Sequence, residues 1–256
     1  LHWMVHSFPT RRSSDLTGTI DKYSSRWGIK EMTYLKDKYL SPVTLKRDFH
    51  KMFPNSYGAK PLKKKLIIKG LTLLDCTLDL KGEYIPGKTT IIVSTENINH
   101  LYYLSVILNS KIAQFYITQK YSSASYNGGV NFTKDMINNF PLANNRFNPL
   151  IFNFLANSLL FAKNHDCKDI YTLFNELANA IVYELYFPAE IKAANAEVSK
   201  HLIGLTELKD DWSDEKKIKV IEKAYKEIFD PKHPVSIAMG LQKLVKEVRI
   251  IEGLDK

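Results

Sequence analysis

A possible nucleotide site is the first chemistry that the sequence suggests. In the segment GEYIPGKTT, Gly82, Gly87, Lys88 and Thr89 have the spacing G-x-x-x-x-G-K-T of a P-loop. A P-loop requires a helix after the glycines, because the free N–H groups of its first turn hold the phosphates. Here TTIIVST follows, and its β-branched residues favour a strand, while Pro86 stiffens the loop. We therefore predict a hairpin between LLDCTLDL and TTIIVST, and no ATP site at Lys88.

Other catalytic patterns are weak or absent in the sequence. It contains no G-x-S-x-G, no H-E-x-x-H and no cysteine placed beside a histidine. Glu190 and Lys192 imitate the E-x-K half of a nuclease site, but so short a match arises often by chance, and we expect exposed helix charges. Asp75 and Asp79 could pair as acids, although capping or turn roles are favoured. The seven histidines show no metal-ligand spacing.

The positive charge is concentrated in one part of the chain. Residues 17 to 121 hold 17 basic and 8 acidic side chains, so their net charge is +9, which equals the net charge of the whole chain. Residues 122 to 196 hold 5 and 6, and residues 197 to 256 hold 12 and 12. A localised positive field favours a nucleic-acid partner over an acidic membrane. A solvated lysine surface is the alternative.

The candidate site residues fall into two groups. The first is a rim of lysines expected to face phosphates: Lys63, Lys64, Lys65, Lys69, Lys81, Lys88, Lys111 and Lys120. The second lies in the glycine-containing loop after Lys120: Tyr121, Tyr126, Asn127 and Asn131. Because Asn pairs bidentately with adenine, we expect this loop to read bases, with an ordinary surface loop as the alternative.

The elements that must position these residues are of two kinds. KKKLIIKG, LTLLDCTLDL and TTIIVST predict three strands in a meander, and residues 97 to 121 predict an amphipathic helix, or two that meet at Asn109 and Ser110. Further helices are expected at about 149–163, 167–186, 189–202, 214–229 and 234–246. We therefore predict an α+β fold: a small mixed or antiparallel sheet with flanking helices, followed by a helical C-terminal region.

Residues 1–16 are expected to contribute nothing to the fold. FPTRRSSDL, residues 8 to 16, matches the translation of a common sequencing adapter over nine consecutive residues. We therefore expect a reading frame that begins inside a gene. The predicted divisions are an adapter artefact at 1–16, a recognition domain at 17–146 and a helical region at 147–256.

Composition favours a cytoplasmic protein. No apolar run is long enough to cross a membrane, and no signal peptide is recognisable. Cys76 and Cys167 are far apart in sequence and outside any C-x-x-C pattern, which indicates reduced thiols in or near the core.

Three segments in order resemble a known family. KKKLIIKGLTLLDCTLDLKGEYIPGKTT, then LYYLSVILNSKIAQFYI, then NGGVNFTKDMINNFPL, resemble the TaqI-type C-terminal specificity (target-recognition) domain of adenine-N6 DNA methyltransferases and single-chain type IIG restriction-modification enzymes. The likeness covers about residues 60 to 142 and continues more loosely through LFNELANAIVYELYF and the last residues. Each motif alone is short, and the specificity lies in their order and spacing.

The resemblance implies sequence-specific binding of double-stranded DNA. In such enzymes a separate upstream domain of the same polypeptide binds S-adenosylmethionine and methylates a flipped adenine. That domain carries an N-P-P-Y motif and a glycine-rich cofactor loop, and neither occurs in this sequence. We therefore expect a recognition fragment with no cofactor of its own and no partner in the membrane. The alternatives are a non-enzymatic module that binds nucleic acid or protein, and an enzyme hidden in the helical region.

Overall fold

The computed structural model describes residues 2–5, 16–34, 36–72, 74–87, 89–121, 125–126, 129–143 and 147–255. The chain forms two compact units. The first contains Leu1–Asn109 and Lys120–Phe140, and the second contains Ser110–Gln119 and Pro141–Lys256. Small sheets in the first unit and helices in the second confirm the predicted α+β class. The functional boundaries 17–146 and 147–256 stay predictions.

Short strands make up most of the first unit. They are β1 (His2–Val5), β2 (Ile20–Asp21), β3 (Ser24–Ser25), β4 (Met32–Tyr34), β5 (Asp37–Tyr39), β6 (Val43–Leu45), β7 (Lys65–Lys69), β8 (Leu71–Thr72), β9 (Cys76–Asp79), β10 (Tyr84–Ile85), β11 (Thr90–Val93), β12 (Ser125–Tyr126) and β13 (Gly129–Asn131). Its helices are α1 (Lys46–Met52), α2 (Ser56–Ala59), α3 (Ile98–Leu108) and α5 (Lys134–Asn138), and α4 (Lys111–Lys120) belongs to the second unit except for its last residue. Two 3-10 turns, Leu16–Thr19 and Lys60–Leu62, complete the first unit.

The central sheet has the order β11-β7-β9, with all pairs antiparallel. A strand does follow Thr89, as predicted, so no helix leaves the glycine loop at that point. The predicted hairpin and meander are wrong, however, because β11 pairs with β7 and not with β9. The physical reason is that Leu66, Ile67 and Ile68 are fully buried, and such a continuous apolar run suits the middle of a sheet.

The core of the first unit lies between this sheet and α3. Leu66 and Ile67 of β7 are buried together with Leu101 and Ile107 of α3, which packs against β7 and β9. The Asn109 side chain follows α3 and bonds the β9 backbone: its Oδ1 accepts from the Cys76 N–H at 3.0 Å, and its Nδ2 donates to the Cys76 carbonyl at 2.9 Å. Burial raises the pKa of the Cys76 thiol well above its ordinary value.

The remaining strands form smaller sheets in the first unit. One has the order β10-β1-β6 and is mixed, since β1 runs parallel to β10 and antiparallel to β6. Another has the order β12-β13-β8, and β2 with β3 and β4 with β5 form antiparallel pairs. His2–Val5 is thus a strand, although it lies in the segment interpreted as an adapter artefact; residues 8 to 15, which carry most of the match, lie outside the described residues. The adapter interpretation stays a prediction.

The second unit is helical. Besides most of α4, its helices are α6 (Pro149–Asn164), α7 (Lys168–Tyr186), α8 (Pro188–Ala193), α9 (Asp214–Ile228), α10 (Pro234–Gln242) and α11 (Lys246–Ile251). Phe174 of α7 is fully buried and meets Phe154 of α6 and Phe229 edge-on, with ring centroids 5.5 and 5.3 Å apart. Such aromatic pairs add about 0.5–1.5 kcal/mol each beyond their burial.

Two predicted helices are shorter than expected. Helix α8 ends at Ala193, where 189–202 was predicted, because Asn195 adopts the left-handed conformation with φ 50° and terminates the helix. The predicted helix 234–246 is divided into α10 and α11 at residues 243 to 245. In the part of the chain that the structure describes, no helix has the length and apolar character needed to span a membrane.

Candidate nucleic-acid interface

The register of β7 and β9 brings three predicted lysines to one end of the central sheet. Lys65 lies opposite Asp79 in this antiparallel pair. Lys63 and Lys64 directly precede β7, and Lys81 follows β9 by two residues, so continuing the register places all three at the same end. All three side chains are exposed.

Lys60 belongs to the same end and was not predicted. It begins the 3-10 turn Lys60–Leu62, and the Lys63 N–H donates to its carbonyl at 3.2 Å. Lys63 follows this turn directly in extended conformation, so Lys60 lies one turn before the start of β7. The three-residue spacing is the sequence signal that could have identified it. We call the exposed residues Lys60, Lys63, Lys64 and Lys81 the lysine cluster.

A glycine holds Lys81 beside Lys63. Gly82 has φ +67°, a conformation that other residues rarely adopt, and it packs so closely on Leu62 that an added Cβ would overlap the Leu62 carbonyl oxygen. Strand β10 follows at once and lies beside the 3-10 turn. The turn after β9 is therefore fixed against the segment that carries Lys60 and Lys63.

The prediction that Lys65 belongs to the phosphate-facing rim is wrong. Its side chain is 0% exposed, and its ammonium group pairs with the Asp79 carboxylate and donates to the Pro61 carbonyl. Burial lowers the pKa of Lys65, and the charge of Asp79 opposes that shift. Lys65 is therefore a core residue that cannot touch phosphate, because both faces of β7 are buried and its ammonium group is paired with Asp79 inside the core.

Asp79 has the turn role that the sequence favoured. Its carboxylate accepts hydrogen bonds from the backbone N–H groups of Glu83, at 3.1 Å, and Tyr84, at 2.9 Å. Burial, followed by the charges of Asp79 and Glu83, raises the pKa of Tyr84 to about 12. Because Asp79 is buried and paired with Lys65, it does not offset the charge of the lysine cluster. Glu83 is the exposed acid of the same turn, so the four lysines still leave a net positive charge.

The opposite end of the sheet carries other predicted residues. Lys69 is mostly buried, and its Nζ lies 3.3 Å from the Asp75 carboxylate, so it pairs internally. Strand β13 pairs with β8 through Asn131 and Leu71, and Asn131 is exposed. Six residue steps along an extended chain separate Lys64 from Gly70, or about 20 Å. The structure therefore divides the predicted site between two ends of the sheet.

Lys111 also has an internal partner. It lies in the second unit, where its ammonium group pairs with the Glu252 carboxylate and its backbone N–H donates to Asn179 Oδ1 at 2.9 Å. The Tyr183 hydroxyl donates to the other Glu252 oxygen at 2.6 Å, and burial raises the Tyr183 pKa. Its prediction as a rim residue missed this pair, because Glu252 is 141 residues away in sequence.

The remaining predicted residues lie after α4 or outside the described part. Lys120 is exposed, and its ammonium group lies 5.7 Å from the centroid of the Tyr121 ring. Tyr126 lies in β12, and only its backbone is described. Lys88 and Asn127 lie outside the described residues.

The structure also describes the residues of two other chemical hypotheses, the E-x-K nuclease pair and a metal site. Glu190 and Lys192 are both exposed on α8, as expected for helix surface charges. Among the residues described, no group of three or more His, Cys, Asp or Glu side chains is arranged to hold a metal ion. Comparisons of the chain with protein-family models, with curated proteins and with solved structures find no match.

Proposed function

We propose that the first unit binds double-stranded DNA as the target-recognition part of a cytoplasmic adenine-N6 DNA methyltransferase or restriction-modification enzyme. Methyl transfer from S-adenosylmethionine is assigned to an upstream domain of the same polypeptide, and no residue of this chain is assigned to the cofactor. The observation that supports DNA binding is the lysine cluster at one end of the central sheet.

The lysine cluster has the charge needed for phosphate contacts. Its four lysines are exposed, while the buried Asp79 carboxylate of the same sheet end is paired with Lys65. DNA carries one phosphate charge per about 1.7 Å of helix axis, so a cluster on one sheet end meets several phosphates. Phosphate contacts of this kind position a protein on the duplex without reading its sequence.

Base readout is assigned to the other end of the sheet. Asn131 is exposed there and lies in β13, where it pairs with Leu71 of β8. Its amide can accept from N6 and donate to N7 of adenine. The two ends are about 20 Å apart, which corresponds to about six base pairs at 3.4 Å each. One face of a duplex can therefore meet both ends of the sheet.

Salt-dependent binding tests the phosphate contacts. Fluorescence anisotropy with a mixed-sequence duplex should show that Lys63→Ala, Lys64→Ala and Lys81→Ala each weaken binding and reduce the slope of log K against log salt by about 0.9. The matched control is Lys219→Ala, an exposed lysine on α9 of the second unit, and its slope should equal that of the unaltered chain. Equal slopes for all four variants would contradict the proposal.

Selection from random duplexes tests the base contact. On the selected sequence, Asn131→Ala should cost about 1–3 kcal/mol, and on random DNA much less. An equal loss on both would remove Asn131 from base readout. Tighter binding to an RNA duplex than to DNA at matched salt would favour the alternative of a non-enzymatic RNA-binding module.

The methyltransferase assignment has its own test. Labelled S-adenosylmethionine and mixed DNA should give no methyl transfer with this chain alone, because the N-P-P-Y motif is absent from its sequence. Expression of the chain together with an upstream methyltransferase domain encoded in the same reading frame should restore methyl transfer at the selected site. Robust transfer by the chain alone would refute the division of labour.

A further inference from the structure

The hairpin formed by β4 and β5 projects from the first unit. Successive side chains of a strand point to opposite faces, yet Asp37, Lys38 and Tyr39 are all exposed, so both faces of β5 meet solvent. The register pairs Met32 with Tyr39 and Tyr34 with Asp37, which leaves a turn of two residues at the tip. Three residue pairs extend about 10 Å. We call this hairpin, from Met32 to Tyr39, the ribbon.

The base of the ribbon is anchored in the first unit. Met32 is buried, and β4 packs against the 3-10 turn that precedes β2. Beyond β5, the Leu40 carbonyl accepts a hydrogen bond from the Gly28 N–H at 3.0 Å. The Pro42 carbonyl accepts another from the Trp27 indole N–H, also at 3.0 Å. The segment before the ribbon and the segment after it are thus bonded to each other, and the ribbon stands on a fixed base.

The ribbon is rooted at the end of the central sheet that carries Asn131. The hairpin of β2 and β3 packs against β9, and the Tyr23 N–H in its turn donates to the Cys76 carbonyl at 3.0 Å. Cys76 begins β9 and lies opposite Ile68, at the far end of the strand pair from Lys65. The 3-10 turn that supports β4 leads directly into β2. The base of the ribbon therefore lies on the side to which base readout is assigned.

The tip of the ribbon keeps a lysine in a strained conformation. Lys36 has φ 80°, in the left-handed region that residues other than Gly, Asn and Asp rarely adopt. Its side chain is exposed, so burial does not explain the choice of residue. Strained backbone of this kind is concentrated at functional positions. The lysine at the tip therefore points to a role for its charge.

The exposed charges of the ribbon and its base are mostly positive. Lys38 pairs with Glu31 at 3.6 Å, but the two side chains are 72% and 59% exposed, so the pair contributes little and either group is free to turn to a partner. From residue 26 to residue 39 four basic and two acidic side chains are exposed, a net charge of +2: Arg26, Lys30, Lys36 and Lys38 against Glu31 and Asp37. This charge favours approach to a polyanion.

We propose that the ribbon enters the major groove of DNA and reads bases beside Asn131, an inference that rests on the proposed function. The major groove is about 12 Å wide and about 8.5 Å deep and admits a two-stranded ribbon, and the ribbon is about 10 Å long with strands about 4.8 Å apart. Lys38 can donate to guanine, and Asp37 can accept from cytosine N4. A carboxylate repels phosphates, so Asp37 suits contact with base edges and not with the DNA backbone.

Opposite changes on two kinds of duplex test the ribbon. With the full chain, Lys38→Ala should weaken binding to the selected duplex by about tenfold, and binding to random DNA by no more than about threefold. Asp37→Ala should weaken binding to the selected duplex by about fivefold, yet strengthen binding to random DNA, because a negative charge near the phosphates is removed. Lys219→Ala, an exposed lysine of α9 in the second unit, is the control and should change neither.

An RNA duplex tests the groove itself. The major groove of A-form RNA is deep and too narrow for side chains to read, so Lys38→Ala and Asp37→Ala should lose no preference between the selected sequence and a random one when both are RNA. Loss of a sequence preference on RNA as large as the loss on DNA would overturn the assignment to the major groove.

Replacement of the tip lysine separates binding from stability. Lys36→Gly relieves the backbone strain and removes the charge. The urea midpoint of unfolding should therefore rise, while affinity for the selected duplex should fall about fivefold. Unchanged affinity would overturn the role of the tip, and a fall in both quantities would show that Lys36 serves the fold.

The lysine-cluster variants separate a failure of the ribbon from a failure of the proposed function. If ribbon variants lose affinity equally on selected and random DNA, or lose none, while Lys63→Ala still reduces the salt slope, the ribbon does not read bases and the proposed function stands. If Lys63→Ala and Lys219→Ala give equal slopes, the proposed function fails and the role of the ribbon fails with it.

Discussion

Replacement of Lys65 should affect stability and not DNA binding. In Lys65→Met, the Asp79 carboxylate is left buried without its cation, at 2% exposure. Breaking a buried pair by removing one partner costs about 3–5 kcal/mol. Asp79 keeps its hydrogen bonds from the Glu83 and Tyr84 N–H groups, so we expect the lower end, about 3 kcal/mol.

Replacement of Asp79, the other partner of the pair, should destabilise the protein more than replacement of Lys65. In Asp79→Leu, the Lys65 ammonium group keeps backbone carbonyls as partners, but the N–H groups of Glu83 and Tyr84 lose theirs. Two unsatisfied groups add about 1 kcal/mol each, so the loss should reach about 5 kcal/mol. In the double variant no buried charge remains, and only those N–H groups cost energy, about 2 kcal/mol in total. The double variant should therefore be more stable than either single variant.

Urea unfolding followed by tryptophan fluorescence measures these losses. Trp212 lies in the second unit, so a Trp212→Phe background confines the signal to Trp3 and Trp27 of the first unit. Lys63→Ala is the control, because an exposed lysine should change stability by no more than about 0.5 kcal/mol. The reasoning fails if Lys65→Met is as stable as this control, if the losses add in the double variant, or if Lys65→Met alone reduces the salt slope of DNA binding.

Three further effects follow from the structure. Gly82→Ala should cost about 3 kcal/mol of stability, because it combines a positive φ with overlap on the Leu62 carbonyl. The control Gly253→Ala, at φ +72° in open space, should cost about 1 kcal/mol. Equal costs measured by urea unfolding would contradict the close packing of Gly82 on Leu62. Burial and the charges of Asp79 and Glu83 raise the pKa of Tyr84 from about 10 in the unfolded chain to about 12 in the folded one, so stability should fall by up to about 3 kcal/mol as pH rises through that window. Tyr84→Phe should remove this contribution, and an unchanged pH dependence in that variant would contradict the assignment. Ser213→Ala should cost about 1 kcal/mol in thermal unfolding, since its side chain accepts a hydrogen bond from the Lys216 N–H at the start of α9. Ser199→Ala should cost more, because it removes a donor to the Glu184 carboxylate. The reverse order of the two losses would count against both assignments.

Local patterns predicted the kind and position of β7, β9 and β11 and of most helices after residue 97. The β-branched run after Thr89 formed β11, and the 3.6-residue periodicity of the later chain formed α6, α7 and α9 close to the predicted bounds. The break at Asn109 and Ser110 likewise separates α3 from α4. These features depend on side chains a few residues apart, which is why they can be read from the sequence.

The candidate site was only partly predictable for the same reason. Lys63, Lys64 and Lys65 are identical neighbours in sequence, yet the first two are exposed and Lys65 is buried against Asp79. That difference depends on which strand pairs with β7 and in which register. A run of three lysines carries no information on its partner.

The sequence by itself therefore determined most of the helices after residue 97, the three strands of the central sheet, the α+β class and the segment that carries the excess positive charge. Only the tertiary structure decided the strand order β11-β7-β9, the division of the predicted rim between two ends of the sheet, and the pairing of Lys111 with Glu252. Backbone preference and periodicity act over a few residues, so they do not depend on which distant segments pack together. Burial and ion pairing depend instead on segments far apart in sequence, which meet only when the core has formed.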